Sequence, residues 1–246
     1  MVTALRAAGC VFAEAEADVL RSSASSPADL DALLARRVAG VPLEVVVGWA
    51  AFTGIRVLID PGVFVPRRRS ELLVVLALGA SPAVVVDLCC GSGAVGAAIA
   101  SRVPGAEVYA ADVDPTSVAC ARRNLPPERV FEGDLYDALP VSLRGRVDVI
   151  VANAPYVPTE AIATMPTEAR DHEPRVALDG GADGVELHRR IAAGAHDWLA
   201  PGGRLIIETS RSQADRTAEA MRNAGLVTRI VADDDRDATG VVGTPT

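Results

Sequence analysis

Between residues 83 and 232 the chain alternates short apolar runs with longer amphipathic stretches. The runs AVVVDL (83–88), AEVYAAD (106–112), RVFEGD (129–134), RVDVIVAN (146–153), GRLIIET (203–209) and LVTRIVA (226–232) are too short and too rich in Val for helices. Most lack the polar alternation of a strand with one wet face, so they predict strands buried on both sides. Helices are expected between them, to Arg102, to Asn124, from about Asp183 to Leu199 and to Ala224, with a last short strand near Val241. Such repetition predicts an open, doubly wound α/β sheet of seven strands with right-handed crossovers.

Ahead of this region the pattern is helical. Residues 1–42 read as a small N-terminal segment of two or three short helices, broken at the SSASSP stretch, with Ser26 or Asp29 as candidate cap and an end near Gly40. LEVVVGWAAFTGIRVLID (43–60), β-rich and carrying Thr53-Gly54, predicts a β-hairpin, so that residues 43–66 form a hairpin linker and 67–246 the main domain. An apolar helix from Glu71 to about Leu78 opens that domain.

Composition narrows the chemistry. All 24 basic residues are Arg, which excludes a Lys Schiff base and a P-loop Lys. A net charge of -8 with only 4% aromatic residues disfavours nucleic acid as a partner. Cys10, Cys89, Cys90 and Cys120 have neither CxxC spacing nor paired His, so no metal site or disulfide framework is expected. With no 18-residue apolar run and with Glu14, Glu16 and Asp18 near the N-terminus, no membrane association is expected, and the chain reads as cytoplasmic.

DLCCGSGAVG (87–96) follows the first buried strand and opens a helix, with Gly91, Gly93 and Gly96 in GxGxxG spacing. Charge discriminates between nucleotide ligands better than this spacing does. Asp87, Asp112 and Asp134 fall at the carboxyl ends of three successive strands, and no basic residue occurs between 83 and 101. A pyrophosphate beside Asp87 would be uncompensated. S-adenosylmethionine suits the loop, because its ammonium and sulfonium are cationic and its carboxylate can take N–H groups at the helix start. In this reading Asp87 lies beside the methionine part, Gly91 and Gly93 let the backbone approach it closely, Asp112 accepts the ribose hydroxyls, Asp134 accepts from the adenine amino group and Leu135 covers the ring.

Asn153-Ala154-Pro155-Tyr156 follows the fourth strand, next to the first and hence beside the transferable methyl. The Asn153 side-chain carbonyl and the Ala154 backbone carbonyl can accept two hydrogen bonds from one planar NH2. Such a nitrogen is a poor nucleophile, and holding both N–H groups aims its lone pair and stabilises the positive charge that develops on it. Pro155 would stiffen the turn and Tyr156 stack on the acceptor.

With these motifs assembled, the chain resembles the protein-(glutamine-N5) methyltransferases of the HemK/PrmC type over residues 40–243. The resemblance is carried by GVPLEVVVGWAAFTGIRVLIDPGVFVPRRRSE, DLCCGSGAVG, ADVDPTSVACARRN, GDLYDAL, NAPY, EPRVALDGGADG and PGGRLIIE. It implies the class I, Rossmann-like methyltransferase sheet, S-adenosylmethionine as cofactor, and a protein partner carrying a target glutamine, a peptide release factor in the family's case. It also implies cofactor contacts at 89–93, Asp112, Leu135 and Asn153, and glutamine binding at 153–156. Two departures stand out: Ala154 where the family has proline, and Arg68 within PRRRSE where it has proline. The helical segment before the hairpin is also shorter than the family's substrate-recognition domain. Arg67 to Arg69, with Glu160, Glu168, Asp171 and Glu173, are expected to shape the substrate entrance. The alternatives are a methyltransferase for the exocyclic amine of a nucleobase, or for a small-molecule or other protein amide.

Overall fold

The computed structural model describes residues 1–165, 170 and 173–246; Glu168 and Asp171 lie outside the described residues. Three helices open the chain: α1 (Val2–Ala7), α2 (Ala13–Ser23) and α3 (Pro27–Val38). They bury Leu5, Ala13, Ala17 and Leu20 in a small core of their own, completed by Val46. Ser26 caps α3, accepting the Asp29 N–H at 3.1 Å, and Asp29 reciprocates by accepting the Ser25 N–H at 2.8 Å. The two expected caps therefore act together, Ser26 satisfying a backbone N–H of the first turn and Asp29 fixing the chain that enters the helix.

The hairpin is shorter than the apolar run that predicts it. Leu43–Val47 forms a helical turn, α4, that stops at Gly48 in the left-handed conformation (φ 80°). Only β1 (Trp49–Phe52) and β2 (Ile55–Leu58) pair, antiparallel. Three consecutive Val-rich positions favour a strand locally, but one helical turn docks Val46 into the N-terminal core, and packing overrides propensity. The hairpin packs on the main core through Ala50, Phe52 and Val57.

The main sheet has the expected seven strands, in order β5-β4-β3-β6-β7-β9-β8. These are β3 (Val84–Leu88), β4 (Glu107–Asp112), β5 (Val130–Glu132), β6 (Val147–Ala152), β7 (Leu199–Thr209), β8 (Leu226–Asp233) and β9 (Ala238–Pro245). The first five are parallel, and β9 enters antiparallel between β7 and β8. One face is covered by α5 (Glu71–Leu78), α6 (Ala94–Arg102) and α7 (Pro115–Ala121), the other by α8 (Glu186–Trp198) and α9 (Ala214–Asn223). Every residue of β3 is buried, which is why its run shows no alternation. Chain order places β3 beside β6, where the sheet reverses direction of growth, and that is where open α/β sheets form ligand crevices.

One side chain joins the hairpin to this crevice. Asn124 Oδ1 accepts the Leu58 N–H at 2.9 Å, while its Nδ2 donates to the carbonyls of Leu58 and Ser92, both at 2.9 Å. Among the described residues no helix is long and apolar enough to cross a membrane.

Candidate active site

A cavity of about 1130 Å³ opens at the carboxyl ends of β3, β4, β5 and β6. Asp87, Cys89, Cys90, Gly91, Ser92, Asp112, Asp134, Leu135, Asn153, Ala154, Pro155, Tyr156 and Arg67 all line it. Residues from loops far apart in sequence thus line one cavity. Gly93 does not line it. At φ 75°, an added Cβ there would meet Leu125 Cδ1 at 3.0 Å and Ala121 Cβ at 3.3 Å, so this glycine serves the turn and the close packing of α7.

Backbone strain marks the same wall. Cys89 (φ 55°) and Leu135 (φ 50°) occupy the left-handed region, at a cost of about 1–3 kcal/mol each for side chains of this kind. Gly91 (φ 54°) would have only Phe64 Cβ, at 3.9 Å, near an added Cβ, so the loop presents bare backbone to the cavity. Asp112 anchors this loop by accepting the Gly91 N–H at 2.8 Å and the Asp114 N–H at 3.0 Å. Burial nonetheless raises its pKa above the usual carboxylate range.

Asp87 is buried under the loop and accepts the Gly96 N–H at 2.8 Å. Burial pushes its pKa up to about 8, the Gly96 N–H pulls the other way, and the Asp112 charge adds to the rise. Without a cation beside it, folded Asp87 holds a proton that the unfolded chain releases near pH 4. Its contribution is present at low pH and is lost as pH rises towards 8, at up to about 1.4 kcal/mol per unit. Buried His188 has its pKa pushed down to about 4, so it gives the opposite slope, and only below its unfolded value of about 6.5. Between pH 6.5 and 8 the melting temperature of the free protein should therefore fall, and Asp87→Asn should flatten that fall. Parallel calorimetric curves for the two proteins would refute the assignment.

One of the three crevice aspartates already has a cation beside it. Arg190 reaches in from α8 and pairs with Asp134 at 2.6 Å. The partner lies 56 residues away, so the Lys- and Arg-free stretch 83–101 gives no hint of it. Asp134 is half exposed and already holds one cation, whereas Asp87 and Asp112 have no ion pair among the described residues. An electropositive ligand is directed to those two.

Asn153 sits just past β6 with Nδ2 donating to Ser70 Oγ at 3.2 Å. With its amide nitrogen occupied, its carbonyl is the group left for the cavity. The Ala154 side chain is fully buried, and Tyr156 donates its hydroxyl to Glu208 Oε1 and accepts from Arg69 Nη1, both at 3.3 Å. The loop is clamped from behind: Val157 N–H donates to the Leu178 carbonyl at 3.0 Å, Gly180 N–H to the Val157 carbonyl at 2.8 Å, and Gln213 Nε2 to the Tyr156 carbonyl at 2.8 Å. The first two of these clamps tie EPRVALDGGADG to the chain that leaves NAPY.

At the entrance Arg67 pairs with buried Glu173, while Arg68 and Glu160 are exposed and stand outside the lining. Ser70, Glu208, Arg190 and Gly180 line or support the site without having been singled out by sequence. Glu208 had a readable signal, being a carboxylate at the carboxyl end of a buried strand. No group of His, Cys, Asp and Glu among the described residues could hold a metal ion.

The sheet order and the glycine loop at its switch point define a class I S-adenosylmethionine-dependent methyltransferase. A methyltransferase structure from Pyrococcus furiosus shares this fold, with a TM-score of 0.60 at 18% identity, covering 85% of this chain and 95% of that one. The methyltransferase small domain model matches residues 54–171. A release factor glutamine methyltransferase of Geobacter sulfurreducens is 36% identical over 217 residues, 86% of this chain and 75% of the relative. The 4-amino-L-phenylalanine/4-methylamino-L-phenylalanine methyltransferase of Streptomyces pristinaespiralis is 34% identical over 223 residues, 81% and 76% of the two chains. The chain belongs to the release factor glutamine methyltransferase family.

Proposed function

We propose that this chain transfers a methyl group from S-adenosylmethionine to the side-chain amide nitrogen of a glutamine in a protein, and that the protein is a peptide release factor. The observation that carries this reading is the Asn153 amide, whose nitrogen is held by Ser70 so that its carbonyl is left for an NH2 group. The cofactor fits the residues present. Asp87 and Asp112 offer two carboxylates without ion pairs among the described residues, and Gly91 offers open backbone. In this reading Asp87 takes the ammonium, the N–H groups at the start of α6 take the carboxylate, Asp112 takes the ribose and Leu135 covers the adenine. When bound, S-adenosylmethionine supplies an electrophilic sulfonium methyl. Asn153 Oδ1 and the Ala154 carbonyl hold the two N–H groups of the acceptor, turn its lone pair towards the methyl and favour the charge that builds on nitrogen. Ala154 performs this with its backbone, so the missing proline ring is not required.

A cytoplasmic location suits this reading, since four cysteines without disulfide bonds are at home in a reducing compartment. S-adenosylhomocysteine at about 100 times its Kd should stabilise the chain by about 2.7 kcal/mol in a thermal shift assay. Equal stabilisation by NAD would sink the cofactor assignment. Acceptor identity is tested by incubating the chain with labelled S-adenosylmethionine and either a purified release factor or 4-amino-L-phenylalanine. Label on a release-factor glutamine supports the proposal. Label only on the aromatic amine assigns the same cradle to an aniline nitrogen, the chemistry named for the Streptomyces relative.

A further inference from the structure

Glu208, at the carboxyl end of β7, is 3% exposed yet lines the cavity. Ala152 pairs with Ile207, so the next residues on these two parallel strands, Asn153 and Glu208, are neighbours across the sheet. Both side chains turn towards residues 69 and 70. Asn153 Nδ2 donates to Ser70 Oγ at 3.2 Å; Arg69 donates to the Tyr156 hydroxyl, which donates to Glu208 Oε1, both at 3.3 Å. The tyrosine occupies Oε1 alone. Oε2 is buried and has no hydrogen-bond partner among the described residues. A carboxylate withdrawn from water with one oxygen unsatisfied is costly, and nothing in the packing of β7 requires it. Its position in the sheet supplies a use. β6 runs between β3, which leads into the glycine loop, and β7. An acceptor nitrogen held at Asn153 therefore has the glycine loop on one side and Glu208 on the other.

We infer that Glu208 is the counter-charge for the acceptor nitrogen and the group that takes its proton. This inference rests on the proposed cradle. The nitrogen gains the methyl and becomes cationic, while the sulfur keeps the electron pair of the broken C–S bond. Positive charge thus moves away from the glycine loop and towards Glu208. A fixed anion on that side stabilises the transition state more than the bound reactants. One N–H bond of the cationic nitrogen then breaks, its electron pair stays on nitrogen to restore the neutral amide, and the proton passes to Oε2, the carboxylate oxygen with no bond of its own. Solvent receives the proton as product leaves. Burial raises the pKa of Glu208 while the Arg69 charge opposes the rise, which makes the carboxylate a stronger base than an exposed one.

The test uses the full chain and two forms of a purified release factor, the natural protein and a semisynthetic one with ornithine in place of the target glutamine. Ornithine sets its nitrogen at the same distance along the side chain and carries there the charge that glutamine acquires only during transfer. With S-adenosylhomocysteine saturating, calorimetry should show the wild-type chain binding the ornithine form about tenfold more tightly than the glutamine form. Glu208→Gln should abolish that preference, keep S-adenosylhomocysteine affinity within about twofold, and lower kcat on the glutamine form by about tenfold or more with KM little changed. Glu208→Asp, which keeps the charge, should keep part of the preference. A preference that survives in Glu208→Gln overturns the inference, as does wild-type kcat in that variant. Should Glu208→Gln fail to fold, the wild-type chain still decides: no preference for ornithine overturns the inference. Failure of the proposed function is recognised separately, by a release-factor glutamine that the wild-type chain leaves unlabelled.

Discussion

Asn153→Ala should lower kcat for methyl transfer by about a hundredfold or more, the effect of removing one preorganised polar contact to a charge that develops only in the transition state. Cofactor affinity should change far less, since Asp87, Asp112 and the glycine loop are untouched. Single-turnover kinetics with labelled cofactor separates the two. A mutant with wild-type kcat and weakened S-adenosylhomocysteine binding would reverse the assignment and make Asn153 a cofactor ligand. Asn153→Asp is the sharper variant. It keeps an oxygen towards the acceptor but sets a second oxygen against Ser70, where Nδ2 now donates.

Gly180→Ala should disable the enzyme from outside the reacting atoms. A Cβ there would stand 2.7 Å from Tyr156 Cα and 2.8 Å from the carbonyl oxygens of Pro155 and Gly184. These are backbone atoms, so relief requires the loop that carries Ala154 and Tyr156 to move. Misplacement by an ångström at a reacting centre costs up to about a hundredfold, and a loss of at least about tenfold in kcat is expected here. S-adenosylhomocysteine binding should survive, because the atoms an added Cβ would displace belong to Pro155, Tyr156 and Gly184 and not to Asp87, Asp112 or the glycine loop. Unchanged kcat with a lowered melting temperature would instead make Gly180 a packing residue alone.

Legibility in the sequence followed the range of the interactions. The parallel strands were readable because burial on both faces removes alternation, and the cap at Ser26 because capping is local. Asp87, Asp112, Asp134 and Asn153 were readable because strand ends converge on one crevice in any open α/β sheet. Leu43–Val47 was misread because a Val-rich run carries strand propensity and nothing local shows which core it will meet. Arg190 was invisible because a salt bridge between α8 and the loop after β5 has no period and no motif. Gly93 was placed with the ligand contacts by its spacing, which cannot tell a glycine facing a cavity from one facing a helix.

The bonds of Asn124 bear on how the N-terminal segment and the catalytic domain communicate. One amide grips both the last residue of the hairpin and the carbonyl of Ser92 in the cofactor loop. Undocking the hairpin frees that amide, and the loop then loses a restraint on the side away from Asp112. With the loop holding cofactor as proposed, its occupancy and the docking of the hairpin are linked through this amide, each favouring the other by the same free energy.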